Sequence, residues 1–373
     1  MTVRVRGKVV TPTGVIRQGC VELDGDRITA VAEYPSVRDG HWIVPGFVDI
    51  HTHGGGGHTF TTGDADAARE AAGFHLAHGT TTLLASLVSS PYELMRTATA
   101  AYAPLVQAGV LAGIHYEGPY LSAVRCGGQN PQFLRNPSVE ELTELIELGA
   151  GAVRMVTLAP ELPGALDAVK LLVSRRVVAA LGHTDATYEQ TLAAVSAGAT
   201  VATHLFNGMR TPHHREPGPV FALLGSPNVV CELVADGVHL HDGTLAFAAG
   251  TAGADRAALI TDAMAAAGMP DGEYELGGQP VVVADGTVRL ATSDGTAGAI
   301  AGSILTMDAA LRRAVGAGIS IVDACRMAAT TPARAIGLGE RTGALLPGWR
   351  ADLVVLDDNL NVVQVMRAGT WTT

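Results

Sequence analysis

Hydrophobic positions fall into two textures along this chain. Over residues 1–42 they alternate with polar ones: Val3 and Val5 with Arg4 and Arg6, then Cys20-Val21-Glu22-Leu23, an Asp24-Gly25-Asp26 turn, and Arg27-Ile28-Thr29-Ala30-Val31. Alternation of period two around a turn predicts strands. The C-terminus repeats the texture in Ala351-Asp352-Leu353-Val354-Val355-Leu356-Asp357 and Val362-Val363-Gln364-Val365-Met366. Two β-rich ends around a different middle predict a small β-sandwich domain built from residues 1–42 plus 338–373.

Between 43 and 337 the apolar residues cluster instead. Strand-like runs at 43–51, 80–87, 110–117, 153–158, 177–182, 199–204, 228–235 and 257–262 are separated by Ala-rich segments of helical length. Continuous apolar strands alternating with helices predict a parallel sheet covered on both faces. Eight such units predict an α/β fold, a (β/α)₈ TIM-type barrel, with its chemistry at the C-terminal strand ends. A doubly wound open sheet is the alternative, but no Gly-x-Gly-x-x-Gly follows the first strand. Residues 270–298 break the pattern. Turn signals at Pro270-Asp271-Gly272 and Ala284-Asp285-Gly286-Thr287 predict an inserted β-hairpin.

The chain has 373 residues, enough for one large barrel and a small appendage, and its 47% hydrophobic content supplies a large core. A net charge of −11 argues against nucleic-acid binding, so an anionic ligand needs a local basic pocket. Cys20, Cys126, Cys231 and Cys325 are far apart and form no Cys-x-x-Cys pair, so neither a zinc ribbon nor a disulfide framework is indicated. The N-terminus has no apolar signal core, and no run of 18 apolar residues is present. These features predict a cytoplasmic protein with no membrane partner.

Candidate chemistry closes the strand-like runs. His51 and His53 lie two apart at the end of the first, so both point the same way and suit a divalent metal; taken alone, the pair also reads as two polar residues in a surface turn. Glu117 ends the third run, His183 the fifth, His204 the sixth and Asp262 the eighth. In a barrel these residues meet around one mouth, and histidines with carboxylates make a hydrolytic metal site. Asp262 has a second reading as the cap of a following helix. His58, His75, His78, His213 and His214 read as solvent-facing, and His115 as a neighbour of the metal ligands. Cys126 reads as lining the mouth or as an exposed thiol.

This pattern resembles the amidohydrolase superfamily: His-x-His on strand one, His on strands five and six, Asp on strand eight, and a β-sandwich from the termini. Many members bridge two metals with a carboxylated lysine on strand four. Here that strand is Val153-Arg154-Met155-Val156-Thr157-Leu158, and Lys8 and Lys170 are badly placed. Glu117 can supply the bridging carboxylate instead, as in the N-acetylglucosamine-6-phosphate deacetylases. Over essentially the whole chain, further motifs resemble that family: His115-Tyr116-Glu117-Gly118-Pro119, Gly182-His183-Thr184, Thr203-His204-Leu205-Phe206-Asn207-Gly208-Met209 and Thr261-Asp262-Ala263-Met264.

The resemblance implies that Glu117, His183 and His204 hold the principal metal and that His51 and His53 hold a second ion. One or two divalent ions are expected, zinc first, with iron or another first-row metal chemically plausible. It implies Asp262 as general base and acid in hydrolysing the acetamide of N-acetylglucosamine 6-phosphate. Another amidohydrolase reaction, on a cyclic amide or an N-acyl amino acid, is the alternative, as is deacetylation of a related N-acetylhexosamine phosphate. Arg215 and His239 become candidates for the phosphate, with Asn207 and the Gly208 N–H also able to meet phosphate or sugar. In this family the arginine corresponding to Arg215 can reach a neighbouring subunit, which implies a homodimer; the bland reading pairs it with Glu216 on the surface. One departure stands out: Gln129, before Asn130-Pro131, occupies the place of a family histidine that contacts the acetyl carbonyl. Its amide can donate a hydrogen bond but carries no charge.

Overall fold

The computed structural model describes residues 3–35, 40–293 and 296–372. Eight parallel strands form the central sheet: β1 (Phe47–Thr52), β2 (Thr80–Leu87), β3 (Gly113–Glu117), β4 (Val153–Leu158), β5 (Val178–Leu181), β6 (Val201–Ala202), β7 (Val230–Val234) and β8 (Ala257–Ile260). Their order in the sheet is their order in the chain. The ring closes just beyond β8, where Asp262 N–H donates to the His51 carbonyl at 2.9 Å and His53 N–H to the Ala263 carbonyl at 2.7 Å. The fold is a (β/α)₈ barrel.

The strands form where the apolar runs lie because both faces are covered. All eight residues of β2 are buried. Inside, side chains of neighbouring strands fill the barrel; outside, helices such as Ala65–Ala77, Tyr92–Gln107 and Val139–Gly149 pack against it. Local sequence starts these helices. Asp64 accepts from the N–H groups of Asp66 and Ala67, and Thr187 with Gln190 forms a capping box ahead of Tyr188–Ser196.

A second sheet of seven strands joins the termini, in the order Thr370–Thr372, Val362–Arg367, Leu353–Leu356, Trp42–Pro45, Val3–Thr11, Gly14–Asp24, Arg27–Glu33. Neighbours are antiparallel except Val3–Thr11 beside Trp42–Pro45. The apolar run at 43–51 therefore serves two sheets and divides at Gly46. A Cβ there would lie 2.3 Å from the Thr81 hydroxyl and 3.0 Å from Asp352 Cβ, so only glycine lets the chain cross between the layers.

The predicted hairpin at 270–298 is a three-stranded antiparallel sheet, Gly272–Leu276, Gln279–Ala284 and Thr287–Leu290. Its first turn is Gly277-Gly278, both at positive φ, and the sequence reading passed over it. The sheet packs Leu276, Val281, Val283 and Val288 against Val88 and Met264, which places it over the barrel mouth.

Candidate active site

The C-terminal ends of β1, β3, β5, β6 and β8 bring six side chains to one point. His51, His53, Glu117, His183, His204 and Asp262 are each at most 6% exposed. Glu117 lies between two groups. Its Oε1 is 3.0 Å from His183 Nε2 and 2.9 Å from His204 Nε2, while Oε2 is 3.2 Å from His53 Nε2. Asp262 Oδ1 approaches His53 Nε2 at 3.2 Å and His51 Nε2 at 3.5 Å. The ring nitrogens also crowd one another, with His183 and His204 Nε2 at 3.0 Å and His51 and His53 Nε2 at 3.2 Å.

Nitrogen and oxygen donors at these spacings fit divalent cations. Ligands about 2.0–2.1 Å from a tetrahedral zinc lie about 3.3 Å from each other. Two sets meet this test: Glu117 with His183 and His204, and His51 with His53 and Asp262. Neutral imidazole and carboxylate are also the right chemistry for a first-row metal.

Further contacts orient the rings. His183 Nδ1–H donates to the Arg125 carbonyl at 2.8 Å, and His53 Nδ1–H to the Ser86 carbonyl at 3.1 Å. His51 Nδ1 is 3.0 Å from Glu232 Oε2, which also accepts from the His204 N–H at 3.1 Å. The contacts at Nδ1 of His183, His53 and His51 turn Nε2 toward the mouth as an acceptor for metal, whereas His204 is held through its backbone N–H and its Nδ1 is buried without a partner. Glu232 is fully buried, and the sequence reading missed it. Its signal is a carboxylate in the centre of an apolar strand, Val230-Cys231-Glu232-Leu233-Val234.

Electrostatics agree with a site built for cations. Burial pushes the Glu117 carboxyl up, but the charges of His51 and His183 outweigh it and hold it well below its usual range. Burial likewise opposes ionisation of Asp262, and its hydrogen bond to His53 with the charges of His51 and His53 brings it below the ordinary carboxylate range. Burial lowers His53, yet its hydrogen bonds to Asp262 and Glu117 raise it to about 9. His115 goes the other way, driven well down by burial and then by the charge of His51. Its Nε2 lies 2.9 Å from the Thr157 hydroxyl and its Nδ1 2.9 Å from the Ser86 hydroxyl, so it supports the site from below.

A cavity of about 360 Å³ opens over these groups. Asn207, Gly208, His239 and Gln129 line it, as does Arg289 from the three-stranded insert. His239 donates from Nδ1 to Asp236 Oδ2 at 2.7 Å and turns Nε2 toward Asp262 Oδ2 at 3.8 Å. Gln129 accepts from the Ser89 N–H at 2.7 Å and donates from its amide to Glu117 Oε2 at 2.5 Å. One of its two amide hydrogens is therefore taken by Glu117, and only the other remains for a ligand. Arg289 escaped the sequence reading because the insert gave no reason to fold back onto the mouth.

Arg215 lies elsewhere. It is exposed, outside the cavity wall, with Nη1 2.7 Å from His214 Nε2 and no ion pair to Glu216 among the described residues. Asp262 caps no helix; it stands at φ +50° where the chain leaves β8. His213 and His214 are exposed and His58 and His78 half-buried, but the reading of His75 as solvent-facing is overturned: it is completely buried. Its helix buries Ala68, Ala71, Ala72 and His75, a spacing that puts His75 on the inward face. Cys126 is half-buried and free.

A closed barrel with a His- and carboxylate-lined mouth fit for divalent metal defines a metal-dependent hydrolase of the amidohydrolase class, and the amidohydrolase family profile matches residues 42–372. Within that class the chain belongs to the N-acetylglucosamine-6-phosphate deacetylase family. It is 34% identical to the N-acetylglucosamine-6-phosphate deacetylase of Lysinibacillus sphaericus, over 97% of this chain and 95% of that one. It is 36% identical to the N-acetylgalactosamine-6-phosphate deacetylase of Escherichia coli O157:H7, over 97% of each. A solved structure of N-acetyl-D-glucosamine-6-phosphate deacetylase from Mycobacterium smegmatis superposes with a TM-score of 0.94 at 45% identity, covering 100% of both chains. An aspartate-to-alanine mutant of that enzyme, in complex with N-acetyl-D-glucosamine-6-phosphate, matches at the same TM-score of 0.94.

Proposed function

We propose that this protein hydrolyses the acetamide of N-acetylglucosamine 6-phosphate, giving glucosamine 6-phosphate and acetate. The observation that carries the reading is the Asp262 carboxylate. It faces the cavity beside Glu117, His183 and His204, with one oxygen on His53 and the other toward His239.

Glu117, His183 and His204 would hold the principal divalent ion, zinc by preference. His51 and His53 would hold a second, with Glu117 shared and Asp262 within reach. When bound, such an ion lowers the pKa of a water from about 15.7 toward about 7 and polarises the amide carbonyl. Asp262 takes the proton from the attacking water as its oxygen bonds to the carbonyl carbon. The same carboxyl then protonates the nitrogen as the C–N bond breaks, releasing acetate and the amine. Gln129 holds Glu117 in place and offers its remaining amide hydrogen to the acetyl oxygen.

His239, Asn207, the Gly208 N–H and Arg289 line the part of the cavity that would take sugar and phosphate. Arg215 would complete the phosphate site from a partner subunit. Two features support a homodimer: Arg215 stands exposed, and Phe221 and Phe247 remain 49% and 58% exposed on helices that follow it, Gly218–Gly225 and Asp242–Ala252. A guanidinium there would grip phosphate through two parallel hydrogen bonds. Four free cysteines fit a reducing, cytoplasmic setting.

The test of the base assignment is Asp262→Asn, compared with the parent at equal metal content. Turnover should fall by about 10²–10⁴-fold while the Glu117 metal is retained. Substantial activity in a metal-loaded variant contradicts the assignment.

A further inference from the structure

At the opposite end of the barrel from the active site, the chain builds a second basic cavity of about 170 Å³ between the barrel floor and the terminal sheet. Four arginines line it: Arg154 near the start of β4, Arg367 at the end of strand Val362–Arg367, and Arg341 and Arg350 from the segment leading into the terminal sheet. Among the described residues, no carboxylate lines this cavity. The chain as a whole carries a net charge of −11.

Two of the four are accounted for by folding. Arg350 donates from Nε to Asp352 Oδ2 at 2.5 Å and from Nη2 to the Thr82 hydroxyl at 2.7 Å. Arg367 donates to the carbonyls of Gly109 and Val110. Asp352 is engaged as well by the Thr342 hydroxyl at 2.8 Å and the Ala368 N–H at 2.9 Å. The other two differ: Arg341 is exposed and Arg154 half-buried. Among the described residues, Arg154 and Arg341 have no side-chain hydrogen bond or ion pair, and Arg154 Nε is buried without an acceptor. A buried donor left unpaired costs free energy, so its partner is to be sought outside the chain. Burial and then the charge of Arg350 hold the Arg367 guanidinium below its ordinary range, against the opposing pull of the Asp352 carboxylate.

We propose that this cavity is a binding site for a small phosphate-bearing anion, gripped by the unpartnered Arg154 and Arg341 and flanked by Arg350 and Arg367. A planar guanidinium presents paired N–H groups that match phosphate oxygens. The bound anion would tie β4 of the barrel floor to the C-terminal segment, and it would stabilise the folded chain in proportion to its occupancy. The site is independent of the proposed reaction, because Arg154 and Arg341 lie outside the catalytic cavity.

The test is equilibrium dialysis of the metal-loaded full chain against radiolabelled inorganic phosphate, with glucose 6-phosphate as a competitor. The variants are Arg341→Gln, whose side chain is exposed, and Arg154→Gln/Arg341→Gln. The double variant should bind one phosphate fewer per chain than the parent, and the single variant should bind at that site about tenfold more weakly. Both should keep the parent's kcat and KM in phosphate-free buffer. Displacement at this site by glucose 6-phosphate at lower concentration than by unlabelled phosphate identifies a phosphate ester as the ligand, and the reverse identifies free phosphate. Equal phosphate stoichiometry and affinity in parent and double variant overturn the proposal.

Discussion

His75 lies beneath the metal-ligand strand, its Nε2–H donated to the Gly54 carbonyl at 2.8 Å and its Nδ1 buried without a partner. A second proton would place a charge on that bare nitrogen, and burial accordingly lowers the group from its usual 6.5 to about 4. The folded state favours neutral His75, so its contribution is fully present above the ordinary histidine value and is lost as pH falls toward about 4. The loss amounts to on the order of 3 kcal/mol. Urea midpoints of chelator-treated protein at pH 7.5 and 4.5 check this. The parent should lose more stability than His75→Gln, which can still donate to Gly54 but cannot titrate; equal losses contradict the assignment. His75 also shows what single residues disclose. The spacing of Ala68, Ala71, Ala72 and His75 marks an inward face, yet a lone polar residue among alanines attracts no attention. His51 and His53 are plain because strand periodicity sends both to one side. Glu232 and Gln129 act through other residues, the first on His51 and the His204 backbone and the second on Glu117, and only folding brings such partners together.

Among elements, β3 is tightly constrained at its C-terminal end. It delivers Glu117 and then turns at once through Gly118, at φ +84°. A Cβ on Gly118 would lie 2.5 Å from the Ser89 hydroxyl and 2.9 Å from Leu121 Cγ. Gly118→Ala should therefore cost about 1–3 kcal/mol and displace Glu117, lowering metal affinity together with the urea midpoint. A variant with the parent's midpoint and metal content contradicts this account. The barrel strands were legible because burial on both faces leaves continuous apolar runs. Their ends were not: the 199–204 run contains only Val201–Ala202 as strand, since His204 and Phe206 adopt positive φ to bring ligands to the mouth. The insert was legible as β structure from its turns. Its first strand, Gly272–Leu276, its packing over the mouth and the arrival of Arg289 depend on contacts with Val88 and Met264, far away in sequence.

At the scale of the whole molecule, both ends of the barrel are adapted to charge. The C-terminal face gathers imidazoles and carboxylates for a cation, and the floor gathers guanidinium groups for an anion. The first is visible in sequence because strand ends mark it. The second is not, because Arg154, Arg341, Arg350 and Arg367 are scattered through the chain and meet only when the terminal sheet docks on the barrel. Substrate choice also belongs to this scale, since the phosphate site would draw His239 and Arg289 from one chain and Arg215 from another. The direct test is acetate release by the metal-loaded protein from N-acetylglucosamine 6-phosphate, set beside the same sugar without phosphate and beside N-acetylgalactosamine 6-phosphate. The account predicts acetate and glucosamine 6-phosphate in equal amounts, with kcat/KM for the phosphorylated glucosamine derivative exceeding that for the unphosphorylated sugar by at least about 100-fold, as a charge-assisted grip worth about 3 kcal/mol requires. No acetate release from the phosphorylated sugar, or equal rates with and without the phosphate, contradicts it.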